Sequence, residues 1–439
     1  MERHDRRVTP SLRRIAALAL PALVVLAAEP LYLLVDTAVV GHLGRVPLAA
    51  LAIGGTILAV TAWLGNVLAY GTTGRAARSF GAGSRRTAVE EGVQASWLAL
   101  AAGLAFVVLA QLFAGPVTRA LSGDPEVADG AELWLRIASL GIPFILLVFA
   151  GNGWMRGVQD TRRPLRYVLG ANVLSAVLCP VLVYPLGMGL AGSAVANVAA
   201  QLVGGALFVR ALIAERVPLA PHPAMLRQQL VLGRDLLVRG LAFQLCFLSA
   251  AAVAARFGAA AVAAHQVGLQ LWMFCAYALD ALAIAAQSLI GAALGAGDVA
   301  GAKRTAARIG KLGLACGGIF AILVLVAAPL LPRLFSSDQA VLDQAAIVWP
   351  WFIGMLPLNG VVFALDGVLV GAGDARYLRN LTIVSALCGF LPAIWLALWL
   401  DLGLGGVWAG LTLFIVLRLV AALLRLRDGS WAVPGAARA

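Results

Sequence analysis

The sequence predicts an all-α integral membrane protein with twelve transmembrane helices in two six-helix lobes related by a parallel internal repeat. Three observations predict it. Hydrophobic residues make up 62% of the 439-residue chain and charged residues 12%, with a mean hydropathy of +0.92, whereas soluble domains hold about 45–50% and about 25%. Basic residues gather in alternate loops. The chain also matches itself when it is slid along by 214 residues.

The first span, 15–41, follows the basic segment Arg3, Arg6, Arg7, Arg13 and Arg14. A helix of that length rises about 40 Å, enough to cross a hydrocarbon core of about 30 Å. Basic residues, an apolar run and Ala27-Ala28 imitate a signal peptide, but the run continues to Gly41, so the segment is expected to be kept as a span. The remaining spans are expected near 48–73, 88–113, 131–155, 164–184, 189–213, 233–256, 261–290, 304–328, 344–370, 377–400 and 404–426.

One set of loops carries Arg75, Arg78, Arg85 and Arg86, then Arg156, Arg162, Arg163 and Arg166, then Arg210, Arg216, Arg227 and Arg234. The same set continues with Lys303, Arg304, Arg308, Lys311, Arg376 and Arg379, and both termini belong to it. The opposite loops hold only Arg45, Arg119, Arg256 and Arg333. Positive charge stays inside, so both termini are expected to be cytoplasmic, in the plasma membrane of a bacterium.

The 214-residue offset pairs Gly44 with Gly258, Gly81-Ala82-Gly83 with Gly295-Ala296-Gly297, Asp124 with Asp338, Pro143 with Pro357 and Gly192 with Gly406. No insertion interrupts the match between Gly44 and Gly406. Each half carries an even number of spans, so the halves share one orientation. They divide as an N-lobe, 1–214, with a proposed cation site, and a C-lobe, 215–439. Two such lobes suit an alternating-access transporter.

Within the first span lie two carboxylates, Glu29 and Asp36, seven residues apart and so on one helix face about 10 Å from each other. An ionised acid near mid-bilayer costs at least about 2.5 kcal/mol and needs a partner, a water-filled cavity or a proton. Pro21 removes a backbone hydrogen bond and invites a bend below the pair. The repeat sets Asp36 against Ala250 and Glu29 against Phe243, so these acids belong to the N-lobe alone. Conversely, Asp280 faces Asn66 and Asp366 faces Asn152. Asp280, with Gln287 two turns on, reads either as a cavity-lining group or as a structural hub. Asp366, near Arg376 and Arg379, reads as an interfacial salt bridge.

Asn172 and Asn197 are amides within spans and want partners. Tyr32, Trp63, Tyr70, Trp154, Trp272 and Tyr277 are pocket walls, packing or interface anchors. Gly192, Ala196 and Ala200 form a small-residue face suited to close helix packing. The turns GAGSRR and GAGD lack the strand and lysine of a phosphate loop. The five cysteines show neither metal spacing nor a disulfide pattern, and no cofactor or metal is called for. A net charge of +12 would suit nucleic acid only on a soluble basic face, and no hydrophilic stretch is long enough to make one. The four histidines lie near loops or ends, which argues against an enzyme.

The run EPLYLLVDTAVVGHLG, the turns SFGAG and GAALGAGD, and the segments RGVQDTRRP and ALDALAIAAQSLIG carry a resemblance over almost the whole chain. They resemble the multidrug and toxic compound extrusion (MATE) family, in its DinF-like branch. The resemblance implies a MATE-type antiporter, exporting amphipathic, often cationic compounds or toxic metabolites against an inward cation flux. It implies Asp36 as the proton site, Pro21 as the bend, and Tyr32, Asn172 and Asn197 as walls of one N-lobe cavity. Some relatives carry a second acid one turn after the fifth-span asparagine, where this chain has Ala176, so Glu29 is the other N-lobe acid. The partners expected are the small-molecule substrate, protons and the lipid bilayer, for a chain acting as a monomer.

The alternatives are sodium coupling on the same fold and a flippase for lipid-linked precursors. One acid among neutral amides suits a proton better than sodium. A flippase would want basic residues inside the lobes to hold pyrophosphate, and nearly every arginine lies in a loop. A major-facilitator transporter would carry its charged loop between spans two and three, and GRAARSFGAGSRR lacks that signature.

Overall fold

The structure is a computed structural model describing residues 10–436; the side chain of Glu29 lies outside the described residues. Regular structure among the described residues is helical throughout. The chain runs α1 (Leu12–Gly41), α2 (Arg45–Gly81), α3 (Arg85–Leu121), α4 (Pro125–Ser139), α5 (Ile142–Gly157), α6 (Arg162–Val183) and α7 (Gly189–Ala214). After a linker come α8 (Pro223–Arg256), α9 (Ala259–Gly295), α10 (Val299–Ala327), the short α11 (Leu331–Phe335) and α12 (Gln339–Gly371). Then follow α13 (Ala375–Val384), a π-helical turn (Ser385–Phe390), α14 (Leu391–Trp399) and α15 (Gly403–Asp428). Among the described residues, eleven helical segments are long and apolar enough to cross a membrane, twelve if α4 and α5, bent by 49° at their junction, count as one span.

The repeat reappears in the helix limits. Both ends of α2 recur 214 residues later as the ends of α9, and both ends of α7 as those of α15. The caps recur as well: Ser84 accepts from the Thr87 amide at 3.2 Å, and its counterpart Asp298 from the Gly301 amide at 2.7 Å. Asp124 and Asp338 each accept from the amide two residues on, at 2.9 Å. Such side chains satisfy the free N–H groups of a helix start. Just before the first pair of caps, Gly83 and Gly297 turn the chain at φ 90° and 77°, a conformation that favours glycine.

Two spans depart from the expected single helices. The span expected over 131–155 breaks after Ser139. Pro143 offers no N–H, and the Leu140 and Gly141 amides turn to carbonyls three residues back, at 3.1 and 3.0 Å. At the equivalent place in the second half Met355 stands for Gly141, and α12 runs unbroken through Pro350 and Pro357. In the eleventh span the π-helical turn comes just before Pro392, widening the helix where the proline cannot donate.

The chain divides into two compact units. One is Leu20–Gly233; the other runs from Arg234 onward and takes in the first turns of α1 as far as Ala19. The linker stays with the first unit through polar ties. Arg85 donates to Glu215 at 2.7 and 3.0 Å, Gln94 bonds both Ala220 and His222, and Gln229 donates to Glu91 at 2.8 Å. Glu91 in turn pairs with Arg75 at 2.6 Å.

In the first unit α2 packs on α3 and α5, and α6 on α7. A Cβ on Gly192 would meet the backbone of Leu182 and Val183, which is why the small-residue face of α7 lies so close to α6. In the second unit α9, α10 and α15 surround α12. A Cβ on Gly360 would strike the Gly313 carbonyl, and one on Gly313 the Gly360 carbonyl, so α10 and α12 cross backbone to backbone. The core of this unit is aromatic, with Trp349, Phe352, Phe390, Trp408 and Phe414 in one cluster.

Candidate functional site

Asp36 is 1% exposed, although it sits in a helix whose neighbours Leu34 and Val35 face outward at 66% and 38%. Its position one turn after Tyr32 puts both on the inner face of α1. Two further helices meet that face. Ser193, at the start of α7, donates to Asp36 Oδ1 at 2.7 Å, and Cys179 of α6 approaches the same oxygen at 3.2 Å. The Trp134 indole donates to Ser193 Oγ at 3.2 Å. An indole N–H can only donate, so the serine oxygen accepts from it and its own hydrogen is left for Asp36. Tyr184 ties the end of α6 to α1 by donating to the Val39 carbonyl at 2.6 Å.

All of these partners are neutral. Among the described residues no arginine, lysine or histidine forms an ion pair with Asp36. Polar capacity is also left over: Asn197 donates weakly to Tyr32 at 3.5 Å while its Oδ1 has no partner, and Asn172 Nδ2 and Ser175 Oγ have none. Asn172, Ser175 and Cys179 fall at i, i+3 and i+7, one face of α6, and Ser193 and Asn197 at i and i+4 on α7.

The structure thus brings Asp36, Tyr32 and Asn197 together and sets Asn172 on the same face of α6, without a hydrogen bond to either Tyr32 or Asp36. Cys179, Ser193 and Trp134 were not singled out in the sequence. The first two were within reach, Cys179 at seven residues from Asn172 and Ser193 at four before Asn197; nothing local marks Trp134. Pro21 lies inside α1 together with Pro30, next to the division between the two units at Ala19 and Leu20. The backbone of Glu29 belongs to α1; its side chain, as a site residue, is outside the described residues.

In the second unit Asp280 is half-buried on α9, and Gln287 is buried with its Oε1 unpartnered. Asp366 does form a salt bridge, but with different partners from those expected. Arg239 of α8 and Arg418 of α15 both donate to its Oδ2 at 2.5 Å. Arg379 pairs instead with Asp235 at 2.7 Å. Asp366 projects from α12 toward α8 and α15, and Arg418, 2% exposed, is as deeply buried as the aromatic core. The premise that the arginines keep to the loops therefore needs correction: two guanidiniums lie inside the second unit. Beside them a small pocket is lined wholly by apolar residues, among them Phe243, Phe247, Trp272, Trp408 and Phe414. Trp272 is thus a wall residue, as its place in the sequence allowed, whereas Trp154 is core.

Among the described residues, eleven or twelve helical spans in two repeated halves, with a buried acid held by neutral groups, define a polytopic membrane transporter. The family model described as MatE matches residues 21–181 and again 236–395, once in each half. The chain is 33% identical to DNA damage-inducible protein F of Escherichia coli, over 97% of this chain and 95% of that protein. It is also 33% identical to the chloroplastic protein DETOXIFICATION 44 of Arabidopsis thaliana, over 98% and 86%. A solved structure of a MATE protein in its bent conformation superposes with a TM-score of 0.88 over 97% of this chain and 95% of that one, at 23% identity. The chain belongs to the MATE family and is a transporter rather than an enzyme.

Proposed function

We propose that this transporter is a secondary antiporter that exports amphipathic, cationic small molecules or toxic metabolites in exchange for inward protons, with Asp36 as the coupling group. The observation that carries this reading is the burial of Asp36 among neutral donors only. Taking an ionised carboxylate out of water without a counter-charge is costly, and either a proton or a bound cation removes that cost. Proton and cationic substrate then compete for one group, which suffices for exchange. With Asp36 neutral the hold on a cation weakens; once the proton leaves, the cavity beside Tyr32, Asn172 and Asn197 regains its charge.

The N-terminal half, 1–214, carries this cation site, and the C-terminal half, 215–439, completes the alternating device. Pro21 is the place where α1 rearranges, and Glu29 the second acid that tunes Asp36. The chain works as a monomer in a bacterial cytoplasmic membrane with both termini inside. Sodium in place of the proton is disfavoured by the thiol of Cys179 on the Asp36 carboxylate, because hard cations take oxygen ligands and sulfur suits soft ones. Substrate efflux from everted vesicles, with pH and sodium varied separately, tests the coupling. Efflux is expected to follow the pH gradient and to persist in sodium-free buffer; strict dependence on sodium at fixed pH would overturn the proton reading.

A further inference from the structure

Asp36 gives the interior of the first unit an acid with no counter-ion among the described residues, and the interior of the second has the opposite balance. Two guanidiniums converge on one oxygen of a single carboxylate, and Asp366 is the one acid among the described residues that forms an ion pair with either. The group carries a net charge of about +1 when all three are ionised. The side chains are 16%, 2% and 12% exposed for Arg239, Arg418 and Asp366, so water does little to compensate it. Hydrogen bonding is short in the same sense: Arg239 Nε and Arg418 Nε are buried with no acceptor. Every unmet group in this cluster is a donor, and arginine forks match carboxylate, sulfonate and phosphate oxygens.

The cluster sits at one end of the aromatic cavity. On α8, Arg239 precedes Phe243 by one turn, and Phe247 follows by another. On α15, Trp408, Leu411 and Phe414 lead to Arg418 one turn on. The guanidinium of Arg418 lies 4.6 Å from the Phe243 ring centroid and 5.6 Å from that of Phe414; that of Arg239 lies 5.3 Å from Phe243. The cavity walls and the cations therefore share two rings. The repeat shows that the arrangement is not shared by both halves, since Val25, Gly204 and Asn152 stand where Arg239, Arg418 and Asp366 stand.

We infer that the second unit is a separate binding site for an amphipathic aromatic anion, its acidic head on Arg239 and Arg418 and its ring body in the cavity between Phe247, Trp272 and Trp408. Arg239, the more exposed of the two cations, receives the head first. The site is independent of Asp36 and adds a second class of ligand to the cationic substrates proposed above.

The test uses the full-length protein in detergent and three probes with one ring system: 1-naphthoate, neutral 1-naphthalenemethanol and cationic 1-naphthylmethylammonium. Binding is read by titration calorimetry. Saturable binding of 1-naphthoate is expected, at least tenfold tighter than the alcohol and the ammonium, and it should survive Asp36→Asn unchanged. Arg239→Gln should weaken 1-naphthoate at least tenfold and leave the alcohol unaffected, and Arg239→Lys should restore part of the loss. 1-Naphthyl phosphate and 1-naphthalenesulfonate in place of 1-naphthoate rank the head groups. Equal binding of all three charge types, or no saturable binding of any of the anions, would overturn the inference. So would full retention of 1-naphthoate by Arg239→Gln. Should the variant fail to fold, the ranking of the three charge types on the unmodified protein decides alone.

Discussion

At the scale of single residues, what a buried charge can do depends on the sign and number of its neighbours. Asp36 meets a hydroxyl and a thiol, and Ser193 is held in its donating orientation by Trp134. Asp366 meets two guanidiniums. Removing the carboxylate there leaves two buried cations facing each other, and breaking a buried pair costs about 3–5 kcal/mol. Asp366→Asn is therefore expected to lower the unfolding temperature of the purified protein clearly, whereas the triple change of Asp366, Arg239 and Arg418 to Leu, Met and Met should recover much of the loss. A single variant as stable as the parent would refute the pairing. Asp36 was legible in the sequence because an acid within an apolar run has few harmless explanations. The partners of Asp366 were not, since loop arginines lay closer along the chain than Arg239 and Arg418 do.

At the scale of elements, the spans and the repeat could be read from hydropathy and offset, down to the paired glycine turns. The break between α4 and α5 could not. Pro143 and Pro357 are equivalent in sequence, yet only the first interrupts its helix, beside Gly141. Tertiary packing decides such cases. The crossing of α10 and α12 is a sharper example, because Gly360 and Gly313 leave no room for any side chain between the two backbones. Gly360→Leu should force the helices apart and sharply reduce the yield of inserted, folded protein. Gly318→Leu, on a face with nothing within 4 Å of a new Cβ, should be neutral. Equal yields from the two variants, measured by fluorescence-detected gel filtration, would contradict the packing.

At the scale of the whole molecule, the asymmetry of charge among the loops predicts the orientation, and an even number of spans per half predicts the same one for both. Single cysteines introduced at Ala82 and Ala300, both in exposed turns or helix starts, should be labelled only from the cytoplasmic side, and those at Gly123 and Ser337 only from outside. Labelling of Ala82→Cys from outside the cell would reverse the topology. The central claim is that Asp36 couples transport to the proton, and Asp36→Asn addresses it most directly, because asparagine is nearly isosteric, keeps hydrogen-bonding capacity and cannot titrate. The measurement is gradient-driven efflux in sodium-free everted vesicles, per molecule of inserted protein, for Asp36→Asn beside Glu29→Gln. Asp36→Asn should insert at the parent level and lose efflux, with Glu29→Gln retaining an intermediate rate; an Asp36→Asn protein that pumps at more than about half the parent rate while Glu29→Gln is inactive would contradict the account.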